Sequence, residues 1–244
     1  MSVRSSKGND MNRQSLEASQ SNQKHKKSSL RTATQQENAK WQQELLESAS
    51  YLRAWASQKA QQGSYAEAID ALSQLLNRHP QNAIDYNNRG LVYFQARQFE
   101  QAIADYNKAL ELNPRLAKAY NNRANYYAAV GDLEASLADY DQALDFDPSY
   151  VRAWLNRGIT LRDLERYGEA IENFDIALLL GQLEGHIYAE RGRTYHLWGD
   201  WNCCVADYQR ALTMLSEHSA SRSDLASRLR NQVEIWLNQL IHNS

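Results

Sequence analysis

Proline is nearly absent, with three in 244 residues, and glycine is scarce, with ten. Few helix breakers among many Ala, Leu, Gln and Glu favour helix almost throughout, and no strand pattern competes. Cysteine is confined to the adjacent pair Cys203 and Cys204. Chain neighbours cannot bridge without strain, so no disulfide framework exists, and a reducing, intracellular and cytoplasmic setting is expected. No apolar run reaches the ~18 residues that a membrane-spanning helix needs. The N-terminus lacks the apolar core of a secretory signal. Neither a Gly-rich phosphate loop nor a motif joining a nucleophile to a base occurs.

Charge is unevenly placed. Residues 1–40 hold eight Lys/Arg against three acids, a net +5, so the remainder carries −7 of the total −2. Residues 1–35 are rich in Ser, Gln, Asn and Lys and almost free of large apolar side chains, so a disordered basic tail is expected there. Its Lys24-His25-Lys26-Lys27 cluster could meet nucleic acid, anionic lipid or an acidic protein, and the simpler reading is a solvated tail. The Ser-rich, acid-poor leader also loosely resembles an organelle transit peptide. Nucleic acid is not the expected partner.

The three prolines, Pro80, Pro114 and Pro148, are each 34 residues apart. Residues 83–114 and 117–148 superpose at Tyr86/Tyr120, Asn87/Asn121, Asn88/Asn122, Arg89/Arg123, Tyr93/Tyr127, Tyr106/Tyr140 and Ala109/Ala143. A fixed period of this length marks a repeat array. Five units follow in register over residues 36–218: 49–82, 83–116, 117–150, 151–184 and 185–218. Each reads as an amphipathic helix A, a short turn and an amphipathic helix B. The first A helix is expected from about Glu37 to Gln62, and Ser64 with Glu67 has capping-box spacing for the following B helix. The A-to-B turns fall at Ala96-Arg97-Gln98, Gly131-Asp132, Glu165-Arg166 and Gly199-Asp200. Units four and five carry Gln182 and Ser216 in place of the closing proline. Residues 219–244 hold one more helix, Ser221–Ile241, with Leu225, Leu229, Val233, Trp236, Leu237 and Leu240 on one stripe. It has the apolar inner and polar outer face of a terminal cap.

Arg recurs at the seventh position as Arg89, Arg123, Arg157 and Arg191, and Asp at the twenty-third as Asp105, Asp139 and Asp207, with Asn173 in unit four. Unit one has Trp55 and Ala71 there, so the two charges vanish together. A structural Arg–Asp contact between helices A and B is expected, for which the guanidinium fork is suited. Gly90, Gly158 and Gly192 each cost about 1 kcal/mol against Ala inside a helix, which implies close packing at those points. His186 and His196 stand ten residues apart in one helix, about 15 Å along its axis, too far to share a metal. Cys204 replaces the Ala or Ser of other units and reads as a small core residue. No catalytic residue, metal or cofactor is expected.

The unit resembles the tetratricopeptide repeat. Unit two supplies that pattern as Tyr86, Gly90, Tyr93, Phe99, Ala102, Tyr106, Ala109 and Pro114. Units four and five follow with Trp154, Gly158, Tyr167, Ala170, Phe174 and Ala177, and with Tyr188, Gly192, Tyr195, Trp201, Tyr208 and Ala211. The resemblance implies an all-α, right-handed α-solenoid of five helix-turn-helix repeats with a C-terminal capping helix. It also implies that positions 2, 5, 6, 9, 12 and 13 of helix A line a concave groove. Those positions hold Asn87, Asn88, Asn121, Asn122, Asn125 and Asn156, which look like the asparagine ladder of peptide-gripping arrays. An amide offers both donor and acceptor, so a row can hold an extended backbone. They also hold Arg53, Lys118, Arg152, Arg162 and Arg193 against Asp163 and Glu190, a net +3 that favours an acidic peptide. These asparagines and cations are the candidate peptide-binding residues. The expected function is a non-enzymatic scaffold, adaptor or assembly factor for a protein or peptide partner. Arg53, Ser57, Asn88, Lys118 and Asn122 resemble an incomplete co-chaperone carboxylate clamp, so a co-chaperone-like adaptor is one alternative. A regulatory module of a larger enzyme complex is another.

Overall fold

The structure, a computed structural model, describes residues 48–217 and 224–242. The expected tail at 1–35 and the expected helix start at Glu37 lie outside the described residues. Among the described residues there are eleven helices and no strand. The A helices are α1 (Ala49–Gln61), α3 (Ala83–Gln95), α5 (Ala117–Val130), α7 (Val151–Asp163) and α9 (Glu184–Trp198). The B helices are α2 (Tyr65–Arg78), α4 (Phe99–Leu112), α6 (Leu133–Phe146), α8 (Tyr167–Leu179) and α10 (Trp201–Glu217), and α11 (Asp224–His242) closes the series. No helix among the described residues is long and apolar enough to cross a membrane.

The chain divides into two compact units at Gln58/Lys59. Apart from Ser48, the described residues of the first lie on α1, where Leu52 and Ala56 are buried and Tyr51 stacks on Trp55 at 6.3 Å. The second unit is an all-α solenoid. Each helix packs on the next in sequence, and α3, α5, α7, α9 and α11 also touch one another in succession. Within this unit the A helices α3, α5, α7 and α9 are thus a layer in which neighbouring repeats meet directly.

Local sequence explains the boundaries. His79, Asn113 and Asp147 precede the three prolines, and all leave the helix for φ between −132° and −143°, since proline disfavours the helical region in the residue before it. The Asn82 side chain accepts from the Ile84 and Asp85 amides and starts α3. Gly131 and Gly199 end α5 and α9 in the left-handed region, and Arg97 and Glu165 adopt φ 58° at the equivalent turns. Where the proline is missing after α8, Gly181 and Leu183 are left-handed instead, at φ 67° and 61°. The capping box expected at Ser64 does not form. Ser64 makes no side-chain cap, and Glu67 reaches Lys59 Nζ at 2.6 Å across the turn.

Repeats two to five each close around one large side chain. Tyr106, Tyr140, Phe174 and Tyr208 are fully buried between their A and B helices. A Cβ on Gly90, Gly158 or Gly192 would stand 2.7–2.8 Å from the ring facing it, so glycine lets the helices approach. Ala109, Ala143, Ala177 and Ala211 are wholly buried, as close helix contacts require. Cys204 fills the same kind of place in the last core, with Tyr208 and Val233, and burial pushes its thiol up to about 11. On α11, Val233, Trp236 and Leu237 pack inward while Ser227, Arg228, Asn231, Gln232 and Asn238 stay exposed, with Ile235 the one large apolar side chain exposed beside them among the described residues. A polar outer face of this kind ends a solenoid without leaving an apolar end.

Candidate functional site

The recurring arginines form clamps between repeats. Arg89 donates through Nε and Nη2 to both oxygens of Asp105 at 2.7 and 2.8 Å, and through Nη1 to Ser73 at 3.0 Å. Arg123 repeats this with Asp139 and with Asn107. Arg191 holds Asp207 and Asp175. Each arginine therefore joins the B helix of its own repeat to the B helix of the repeat before. Arg157 departs from the pattern, donating to Asp141 at 2.8 Å and to the Asn173 amide oxygen at 3.0 Å. Tyrosine rings flank the guanidinium groups, Tyr86 and Tyr93 at Arg89 and Tyr120 and Tyr127 at Arg123, at 5.6–6.0 Å, adding cation–π attraction. The expected Arg–Asp contact is thus present and extends across each repeat boundary.

On the other side of the A helices the asparagines meet one another. Asn122 Nδ2 donates to Asn87 Oδ1 at 2.9 Å, from α5 to α3. Asn156 Nδ2 donates to Asn121 Oδ1 and Asn125 Oδ1 at 3.3 and 3.1 Å, from α7 to α5. Asn87 donates to Asn88 at 3.4 Å, and Asn121 to Asn122 at 3.3 Å. The Tyr140 hydroxyl donates to Asn125 Oδ1 at 2.5 Å and anchors the row to the core. Asn87 and Asn121 are 4% and 3% exposed, whereas Asn88, Asn122, Asn125 and Asn156 are half-buried. Each amide has two hydrogens and two acceptor sites. Asn88 keeps its donors, Asn122 keeps one donor and one acceptor site, and Asn156 keeps its oxygen for a ligand, counting bonds among the described residues.

The candidate cations fall into two groups. Lys118 and Arg152 stand exposed near the starts of α5 and α7 and make no ion pair with a described residue. Arg162 pairs with Glu190 at 2.5 Å, from α7 to α9. Arg193 lies 5.1 Å over the Trp236 ring, under α11. Arg53 is half-buried on α1, in the first unit. Burial holds the His186 imidazole below its usual value, with Arg152 adding to the shift and Glu190 opposing it. His186 is therefore neutral at neutral pH and adds no charge beside Arg152.

The structure thus joins Asn87, Asn88, Asn121, Asn122, Asn125 and Asn156 in one network, with Lys118 and Arg152 one helical turn before Asn122 and Asn156. Arg162 and Arg193 lie toward the C-terminal end of the solenoid with partners of their own. Tyr140 is not among the candidate residues that the sequence singles out for this face. Its signal was there, since it shares a repeat with Asn125, the asparagine it holds. Among the described residues no group of three or more His, Cys, Asp or Glu side chains converges.

Comparison with known proteins agrees with the repeat fold. Tetratricopeptide repeat patterns match residues 83–116, 105–138, 124–162 and 151–180. Among solved structures, the thermophilic TPR protein TTC0263 of Thermus thermophilus is similar at 20% identity and TM-score 0.65, over 77% of this chain and 100% of that one. MamA is similar at 19% identity and TM-score 0.58, over 68% of this chain and 96% of that one. Likeness at this identity is one of fold. No curated protein matches the sequence.

Proposed function

Through residues 83–180 the chain belongs to the tetratricopeptide repeat family, whose stacked helix pairs are protein-interaction scaffolds, and on that premise we propose that it is a non-enzymatic adaptor or assembly factor holding an extended, acidic peptide on the inner face of its A helices. The observation that carries this reading is the register of Lys118 with Asn122 and of Arg152 with Asn156. Each cation lies four residues before an amide on the same helix, so both side chains share a face about 6 Å apart along the axis. Neighbouring helices pack at roughly 8–10 Å, and an extended chain advances about 3.3 Å per residue. One amide and one cation thus recur for about every three residues of peptide. The spare amide capacity of Asn88, Asn122 and Asn156 suits backbone C=O and N–H groups. The cations, exposed and without an ion pair among the described residues, suit carboxylates and steer them by long-range attraction.

A display library of random decapeptides, selected on the full-length chain, tests the reading. Selected peptides are expected to be rich in Asp and Glu. Their affinity is expected to fall when Lys118 and Arg152 are both changed to Glu, with an effect that shrinks as salt rises. Selection of neutral peptides, or indifference to the double reversal, would overturn it.

A further inference from the structure

Arg162 holds its acid differently from the arginines that build the scaffold. Arg89, Arg123 and Arg191 each present Nε and Nη2 to both oxygens of one aspartate at 2.7–2.9 Å. Those aspartate side chains are 2–9% exposed. Arg162 gives Glu190 only Nη1, to one oxygen at 2.5 Å, and the Glu190 side chain is 22% exposed. The Nε/Nη2 edge of Arg162 reaches a single oxygen of the half-exposed Asp163, at 3.3 Å from both nitrogens. A guanidinium fork is best matched by a carboxylate offering two oxygens in its plane. The better edge of Arg162 is thus the one left weakly used.

Position adds to chemistry. Arg162 lies six residues after Asn156 on α7, about 9 Å along the axis. Glu190 comes from α9, so the contact crosses the seam between the fourth and fifth repeats. We propose that Arg162 is a carboxylate-binding subsite of the inner face, held in the free protein tightly by Glu190 on Nη1 and loosely by Asp163 on the fork edge, and opened when an acidic side chain of the bound peptide displaces Glu190. This rests on the peptide-binding reading above. The exchange is of one carboxylate for another, so no half-buried charge is left unpaired and no bond is made or broken covalently. Glu190 lies partly at the surface and can turn into water. A neutral side chain cannot make the exchange, so the subsite selects for acid and Glu190 sets the threshold an incoming acid must beat. A site occupied by an internal competitor for most of the time shows an affinity reduced by the fraction that is open.

The experiment uses the full-length chain and a fluorescent decapeptide of alternating Glu and Thr, with the alternating Gln and Thr peptide as control. Fluorescence anisotropy measures binding to the wild type, Glu190→Gln, Arg162→Gln and the double variant, with circular dichroism confirming that each is folded. Glu190→Gln is expected to bind the acidic peptide about tenfold tighter. The double variant is expected to lose that gain, and the neutral peptide to be indifferent to all three changes. In wild-type protein labelled at arginine nitrogens, the Arg162 Nε resonance is expected to shift on adding the acidic peptide, a readout needing no variant to fold. Wild-type binding with no gain in Glu190→Gln and no Arg162 shift would overturn the subsite while leaving the peptide-binding reading intact. Absence of binding by every variant, Glu190→Gln included, would overturn both.

Discussion

Arg157 Nε donates to Asp141 Oδ1 at 2.8 Å, so the arginine of the fourth repeat takes its carboxylate from the third. Its own B helix offers Asn173, where the other repeats have Asp105, Asp139 and Asp207. The lost acid is replaced one step back, where the second repeat's arginine has Ser73 and the third's has Asn107. The boundary between the third and fourth repeats is therefore an ion pair near the surface, and that between the second and third is a neutral bond beside a buried pair.

The two arrangements should respond differently to the same change. Asp139 is buried, and Asp139→Asn leaves Arg123 short of a charge in a largely dry place, at an expected cost of about 2–4 kcal/mol. The Asp141 side chain is 53% exposed. Asp141→Asn is expected to cost at most about 1 kcal/mol, and less as salt rises. Urea melts of both variants at low and high salt measure the difference. Equal losses would mean that Asp141 is as sheltered as Asp139.

Tyr106 and Tyr140 occupy equivalent places, yet only one hydroxyl is satisfied. Tyr140 donates to Asn125, while the Tyr106 hydroxyl is buried without a partner among the described residues, because Leu91 stands where the third repeat has Asn125. Tyr106→Phe should be neutral or stabilising by up to about 1 kcal/mol, and Tyr140→Phe should cost about 1 kcal/mol. Phe174 fills the same position in the fourth repeat, so the ring alone fits. Thermal melts of the pair decide it.

The period, helix pairs, small-residue crossings and Arg–Asp contact were legible because each recurs at a fixed offset, and repetition separates a packing rule from chance. Gly90, Gly158 and Gly192 announced close approach for that reason. The left-handed turns at Arg97 and Glu165 were legible as turns but not as left-handed, since the repeat geometry and not the residue type imposes that φ. The partners of Arg162 and Arg193 were not legible. Glu190 meets Arg162 from 28 residues away, and Trp236 reaches Arg193 from the last helix. Neither offset repeats elsewhere in the chain. The asparagines were legible as a row, but their bonds to one another depend on how closely α3, α5 and α7 approach, which no single repeat encodes.

Glycine should matter oppositely at two sites. A Cβ on Gly158 would lie 2.7 Å from Phe174 Cε1, in a core where that ring is wholly buried. Gly158→Ala is expected to cost about 1–3 kcal/mol through overpacking, despite the better helix propensity of alanine. Gly168, on α8, has nothing within 4 Å of its Cβ position. Gly168→Ala is expected to stabilise by about 0.5–1 kcal/mol. Stabilisation by both would mean that the A and B helices stand further apart than described.

The asparagine row should separate into scaffold and binding members. Asn122 links α5 to α3 through Asn87 and accepts from Asn121, and both of those neighbours are buried. Asn122→Ala removes two bonds and leaves two buried amides under-satisfied, for an expected loss of about 1–2 kcal/mol. The helix-propensity gain from alanine, roughly 0.5 kcal/mol, does not offset that. Among the described residues Asn88 takes part only by accepting a long 3.4 Å bond from Asn87. Asn88→Ala should leave the melting temperature unchanged or slightly raised, yet weaken a selected acidic peptide by about 0.5–1.5 kcal/mol through loss of the spare donors that hold its backbone. Melting and affinity measured on both variants distinguish the roles. Unaltered stability in Asn122→Ala would mean that the amides face water in solution and are all available to a peptide. Unaltered affinity in Asn88→Ala would confine the peptide to the faces of α5 and α7, where Lys118 and Arg152 stand.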